Sequence, residues 1–243
     1  MQGPRYFVAL NVVAGVPMEL AADDARHAST VLRSRPGDTL TILAGGVAWD
    51  AEFASVGSSG VWVVARHPSA LQSGELPTKV TILQALTKGA KLDEVVEKSV
   101  ELGAANIVPV ICARSESAGG ENKVTRWRRI ARTAAMQSRR RVVPLVEEPI
   151  TWQVACETWM PQAMALVAYE LAKSATLTMA LSSYEVGAPV VITVGPEGGL
   201  TTDEVGLAHK FGAHIVSLGP TILRTETAAA ALLSATAQSL GWW

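Results

Sequence analysis

Two strand–glycine–helix junctions, one after the other between Val190 and Ala231, constrain the fold of this chain more than any other feature. Val190–Val194 is an uninterrupted apolar run whose length and β-branched content suit a strand buried on both faces. It ends in Gly195-Pro196-Glu197-Gly198-Gly199, and a helical pattern follows. A second apolar run, His214–Leu218, ends in Gly219-Pro220, passes through Leu223-Arg224-Thr225-Glu226-Thr227 and enters an Ala-rich helix. The junctions set two backbone-lined loops at neighbouring strand ends, where α/β sheets bind small molecules.

The residues upstream share this grammar as far back as Lys79. Val80–Ala85, Ile107–Ile111 and Ala163–Ala168 read as strands, and Ala90–Leu102, Asn122–Arg141 and Ala175–Leu181 as helices. The alternation predicts an α/β domain with a parallel sheet and helices on both faces, over residues 79–243. Residues 1–70 read differently. Arg5–Val13, Asp38–Leu43, Val47–Ala54 and Gly60–Arg66 are short strands between Gly- and Ser-containing turns. One short helix, Ala22–Leu32, carries Asp23 and Asp24 near its N-terminus, where the helix dipole favours them. A small β-barrel-like module is expected. The stretch His67–Thr78, rich in Pro, Ser and Gly and without periodicity, contains the linker, placed at 71–78.

Composition excludes several classes. Hydrophobic residues make up 49% of the 243-residue chain and charged ones 18%, which excludes a disordered protein. A net charge of −1 excludes a uniformly basic protein but not a local basic patch. Cys112 and Cys156 match neither a metal-ligand nor a CxxC spacing, so a reduced, cytoplasmic setting is expected. His209 and His214 stand five apart across Gly212 and do not share a helix face, so no metal is expected. The apolar run after Arg5 is broken by Asn11 and lacks an A-x-A site, which favours a first strand over an export signal. No apolar run is long enough for a membrane-spanning helix, and no membrane partner is expected.

One charge cluster stands out. Arg126, Arg128, Arg129, Arg132, Arg139, Arg140 and Arg141 follow Lys123, with no acid between Asn122 and Val146. On a single helix, 128, 132 and 139 fall near one face, with 129 and 140 beside it. Arginines without counter-charges repel one another unless a polyanion sits there, so nucleic-acid contact is expected. Trp127 is expected to pack in the core rather than stack on a base. The glycine loops match neither GxGxxG nor a P-loop. Thr201 or Thr202 suits the N-cap of the next helix, with Asp203 and Glu204 in its first turn. Thr225 likewise reads as an N-cap and Glu226 as a first-turn acid, which leaves Arg224 and the second Gly-Pro turn without a structural explanation.

Gly195–Leu200 (GPEGGL) together with Ser217–Ala228 (SLGPTILRTETA) resembles the signature of the RsmE family. Members are small-subunit ribosomal RNA methyltransferases, acting on uridine N3, of the SPOUT superfamily. Val31–Asp38, Lys88–Pro109, Arg114-Ser115 and Trp127–Pro144 resemble further family blocks in the same order, so the likeness covers nearly the whole chain. Thr221 stands where the family usually has an arginine, and Met136 where an acid is common before Gln137-Ser138. The first departure weakens any claim for a basic contact at 221.

The resemblance implies a PUA-like N-terminal barrel that binds RNA, and a C-terminal α/β domain with a trefoil knot holding S-adenosylmethionine. It also implies a homodimer and 16S ribosomal RNA as partner, in the assembled small subunit. Cofactor contacts are then expected from Gly195, Pro196, Glu197, Gly198, Gly199, Leu218, Gly219, Ile222, Leu223, Thr225, Thr227 and Ala228, largely through backbone. The strand end carrying Val167, Ala168 and Glu170 would form a third wall. Arg224 would fix the uridine or its phosphate, and Glu226 would orient the base or accept a proton. Arg5, Arg33, Arg35, Arg132, Arg139 and Arg140 are expected RNA contacts. Ribose 2′-O methylation within the same superfamily and a non-catalytic RNA-binding role in ribosome assembly remain as alternative functions.

Overall fold

The computed structural model describes residues 3–9, 11–57, 59–70, 73–115, 121–172 and 175–243. They form two compact units: residues up to Glu75 with Arg139–Val143, and Leu76–Ser138 with Pro144–Trp243. Of the linker expected at 71–78, residues 71 and 72 lie outside the described residues, as does Leu10 of the expected first strand. A domain running unbroken from 79 to 243 needs correction, because Arg139–Val143 packs with the first unit.

The first unit is a five-stranded sheet. Its strands are β1 (Arg5–Phe7), β2 (Pro17–Glu19), β3 (Thr39–Ala44), β4 (Val47–Gly57) and β5 (Gly60–Pro68), hydrogen-bonded in the order β1-β3-β4-β5-β2. β1 runs parallel to β3 and the remaining pairs are antiparallel. Alternating side chains such as Ile42, Phe53, Val61 and Val63 point to one face and bury Tyr6 among them. Gly45 and Gly46, both at positive φ, make the two-residue turn that closes the β3–β4 hairpin. The ladder ends at β1 and β2 without closing among the described residues, so the unit is an open mixed sheet rather than a hydrogen-bonded barrel. The expected strand to Val13 stops at Phe7, and the three-residue β2 has too few residues for its alternation to be visible. α1 (Ala22–Arg26) continues as a π-helical turn over His27–Val31.

The second unit is an all-parallel sheet. Its strands are β6 (Val80–Ala85), β7 (Asn106–Ile111), β8 (Leu145–Val146), β9 (Ile150–Thr151), β10 (Met164–Ala168), β11 (Val190–Val194) and β12 (His214–Val216). The order is β12-β10-β11-β6-β7-β8, with β9 also on β7. Central β6 and β11 are buried along their whole length, as their largely apolar, β-branched runs suggest. The helices are α2 (Lys91–Glu101), α3 (Glu121–Gln137), α4 (Trp152–Trp159), α5 (Leu177–Leu181), α6 (Thr202–Lys210) and α7 (Thr225–Ser239). α2 buries Leu92, Val95, Val96 and Val100, the apolar stripe visible in its sequence.

Two helix readings are corrected. α3 ends at Gln137, not Arg141, because Arg139 takes the left-handed φ of 62° that a continuing helix cannot hold. Arg139, Arg140 and Arg141 therefore share no helix face with Arg128 and Arg132. α4 was absent from the sequence reading, although Trp152, Ala155, Cys156 and Trp159 recur at helical spacing behind the N-cap Thr151.

Candidate active site

The C-terminal ends of β10, β11 and β12 open into a cavity of about 750 Å³, within the usual range for small-molecule sites. Its walls are Ala168–Glu170 after β10, Val194–Leu200 after β11, and Ser217–Glu226 with Ala228, which lead from β12 into α7. Lys91, at the start of α2, completes the rim.

Short contacts fix these loops. Gly199 sits at a φ of +71°, and a Cβ there would meet Glu170 Oε1 at 2.7 Å. Glycine is thus required here for backbone conformation, and a Cβ would in addition make the Glu170 carboxylate shift. A Cβ on Gly195 would meet Leu200 Cγ at 3.0 Å, so the chain turns back tightly on itself. Thr225, only 6% exposed, donates its hydroxyl to the Gly195 carbonyl at 2.8 Å and accepts from Gln84 Nε2 at 2.8 Å. One buried hydroxyl therefore ties the end of β6, the loop after β11 and the start of α7. This corrects the N-cap role: the cap position is Arg224, with no side-chain cap bond, and the Thr225 hydroxyl is used across the site instead.

The charges of the site are partnered in part. Glu197 accepts from Lys91 Nζ at 2.8 Å and from the Lys88 N–H at 3.2 Å. Partial burial opposes ionisation of Glu197, but these donors outweigh it and hold the carboxyl below the usual carboxylate range. Arg114 Nη1 donates to the Gly198 carbonyl at 2.8 Å, which draws the segment after β7 to the glycine loop. Glu204 holds the same segment from below. It closes a capping box with Thr201 at the start of α6 and accepts from the Ala113 N–H at 2.7 Å. Glu226 differs: its Oε2 is buried and has no hydrogen-bond partner among the described residues. A carboxylate oxygen removed from water without a donor is costly, and it lies on the cavity wall.

Of the expected cofactor residues, the cavity gathers Ala168, Glu170, Gly195, Pro196, Glu197, Gly198, Gly199, Leu218, Gly219, Ile222, Leu223, Thr225 and Ala228. Arg224 and Glu226 line it too. Two expectations need correction. Val167 is wholly buried inside β10, whose alternation turns its side chain into the core, and Thr227 is exposed and outside the cavity lining. Tyr169 lines the cavity within the expected third wall, and Lys91, Leu200, Ser217 and Pro220 line it and Gln84 supports it beyond what the sequence assigned. Only Gln84 carried a signal, a lone amide near the end of a mostly apolar strand.

The arginine cluster is less uniform than its sequence. Acids distant in the chain supply counter-charges: Arg126 pairs with Asp93, and Arg128 with Glu148 at 3.0 Å. Arg140 is 1% exposed and pairs with Glu75 at 2.6 Å, so its expected surface contact is corrected to an internal ion pair. Trp127 is buried and donates to Asp93. Arg33, Arg35 and Arg139 are exposed, and Arg5 and Arg132 half-buried. Burial pushes the thiols of Cys112 and Cys156 up to about 12, which leaves them without nucleophilic character at neutral pH. Among the described residues no group of three or more His, Cys, Asp or Glu is placed to hold a metal, and no helix is long and apolar enough to cross a membrane.

The model of a family described as the RNA methyltransferase domain matches residues 74–237, which hold the parallel sheet and the cavity at its strand ends. The ribosomal RNA small subunit methyltransferase E of Bacillus subtilis is 32% identical over 95% of this chain and 94% of its own length. That of Synechocystis is 32% identical over 92% of this chain and 74% of its own. A crystal structure of the Neisseria gonorrhoeae protein of the same name, bound to S-adenosyl methionine, superposes with a TM-score of 0.89 at 30% identity, covering 98% of both chains. The chain belongs to the RsmE family of RNA methyltransferases.

Proposed function

We propose that this protein transfers a methyl group from S-adenosylmethionine to N3 of a uridine in 16S ribosomal RNA. The observation that carries the reading is the cavity at the ends of β10, β11 and β12, together with its family membership. The residues present fit the cofactor: Gly199 brings its backbone against the Glu170 carboxylate at a positive φ, and Glu226 offers an unpartnered buried oxygen. When bound, S-adenosylmethionine supplies an electrophilic methyl on a sulfonium. Gly195–Gly199 and Leu218–Leu223 would hold it through backbone groups, with the acids Glu170, Glu197 and Glu226 giving the wall a negative character that suits a cationic sulfur. Arg224, exposed at the rim, would fix the uridine or its phosphate. Glu226 would orient the base or take the N3 proton, since N3 must be deprotonated to attack.

The finer architecture belongs to the same proposal. The segment from Gly195 to Ala228 forms the knotted site of the SPOUT superfamily; support comes from the Thr225–Gly195 bond that joins its two loops. The open five-stranded sheet is a PUA-like RNA-binding module, to which Arg5, Arg33, Arg35 and Arg139 contribute; Arg132, on α3 of the second unit, is a separate RNA contact. The active form is a cytoplasmic homodimer that acts on the small subunit. Glu226→Gln should weaken cofactor affinity at most a few-fold in calorimetry, while single-turnover methylation at saturating cofactor falls at least tenfold, about 1.4 kcal/mol in the barrier. Unchanged turnover removes Glu226 from the chemistry.

A further inference from the structure

Glu75 is the acid at the centre of the first unit's arginines. Its Oε2 accepts from Arg140 Nε at 2.8 Å, and its Oε1 accepts the backbone N–H groups of Arg141 at 2.8 Å and Val142 at 3.2 Å. Arg140 Nη2 also lies 2.6 Å from Oε2. Both oxygens are thus committed to one short segment, Oε2 to the Arg140 guanidinium and Oε1 to the backbone after it. That segment presents its carbonyls to a further arginine: Arg5 Nη2 donates to the Arg139 carbonyl at 3.2 Å and to the Arg140 carbonyl at 3.1 Å. Arg5 Nε is buried with no acceptor among the described residues. Arg139 itself is exposed and held at a φ of 62°, a backbone state that costs a non-glycine residue energy.

We propose that Arg5 and Arg139, with Arg141 beside them, form a clamp for a phosphodiester group of RNA, and that the buried Arg140–Glu75 pair is the strut that positions it. The inference takes its ligand from the RNA-methyltransferase reading and adds a location and a positioning pair. Electrostatics agree with the geometry. Arg5 has its pKa pulled down first by burial, then by the positive charges of Arg139 and Arg141. The neighbouring acid does not relieve this, because Glu75 is occupied by Arg140 and two backbone donors. A bound anion would remove the repulsion.

The test uses the full chain, a fluorescein-labelled oligouridine and inorganic phosphate as competitor. Arg139→Gly suits the left-handed backbone while deleting the charge, so the Tm should hold or rise while the RNA Kd rises several-fold. The slope of log Kd against log salt should fall by about 1. Glu75→Gln is the sharper variant, since glutamine has one acceptor oxygen where the site uses two. Although it removes a negative charge near the RNA, it should weaken RNA binding and leave cofactor binding unchanged. Tighter RNA binding by Glu75→Gln, or unaltered binding by Arg139→Gly, overturns the clamp. Should Glu75→Gln fail to fold, Arg139→Gly decides. Phosphate displacing the oligomer from the unaltered chain but not the residual binding of Arg139→Gly supports the clamp; equal displacement from both opposes it. If the unaltered chain binds cofactor but no RNA, the RNA reading falls along with the clamp. If it binds RNA and the variants match it, the clamp falls alone.

Discussion

Gly199 concentrates the demands of the site in one residue. Its φ of +71° would cost an L-residue roughly 1–2 kcal/mol, and an added Cβ would press on Glu170 Oε1. Gly199→Ala should therefore displace either the loop or Glu170 from the cavity wall. The expected result is a cofactor Kd raised about tenfold or more, equivalent to ~1.4 kcal/mol, with little change in the affinity for RNA. An unchanged Kd in calorimetry would show that the loop is not held in this shape when the cofactor binds. The glycine itself was legible in the sequence as part of a strand–loop–helix junction. Its neighbour Glu170 was legible only through family likeness, since nothing in VAYE announces which residue faces the glycine.

At the scale of elements, the sequence reveals those whose character is local. β6 and β11 are mostly apolar and buried along their whole length, and α2 has its stripe, so each was readable without neighbours. β2, β8 and β9 are two or three residues long and exist because longer strands pair with them. The early end of α3 carried no Gly or Pro signal, because it is enforced by contacts of Arg139–Val143 with residues far away in the chain. Thr225 shows the same limit: its position before an Ala-rich helix suggested a cap, yet its hydroxyl joins α7 to β6 and to the loop after β11. Thr225→Val keeps the shape and deletes the bridge, leaving the Gly195 carbonyl without that donor. A loss of about 1–3 kcal/mol in unfolding free energy is expected, with weaker cofactor binding, and Thr225→Ser should restore most of both. Equal stability of the Val variant in denaturant titration would show that the bond contributes little.

For the whole molecule, the sequence divided the chain once, near residue 71, whereas the fold divides it three times, after Glu75, Ser138 and Val143. The return of Arg139–Val143 to the first unit depends on Glu75, an acid sixty-five residues before Arg140, and no spacing rule connects them. The run of arginines was informative for a reason different from the one its composition suggested. Some of its members are neutralised by distant acids, one is a buried strut, and the exposed remainder carries the argument for a polyanionic substrate. The most direct test of the central claim is the identity of the product. The full chain would be incubated with radiolabelled S-adenosylmethionine and small ribosomal subunits lacking the modification, and the RNA digested to nucleosides and separated. The label should co-migrate with 3-methyluridine; label in a 2′-O-methylated nucleoside, or none in RNA, would contradict the account.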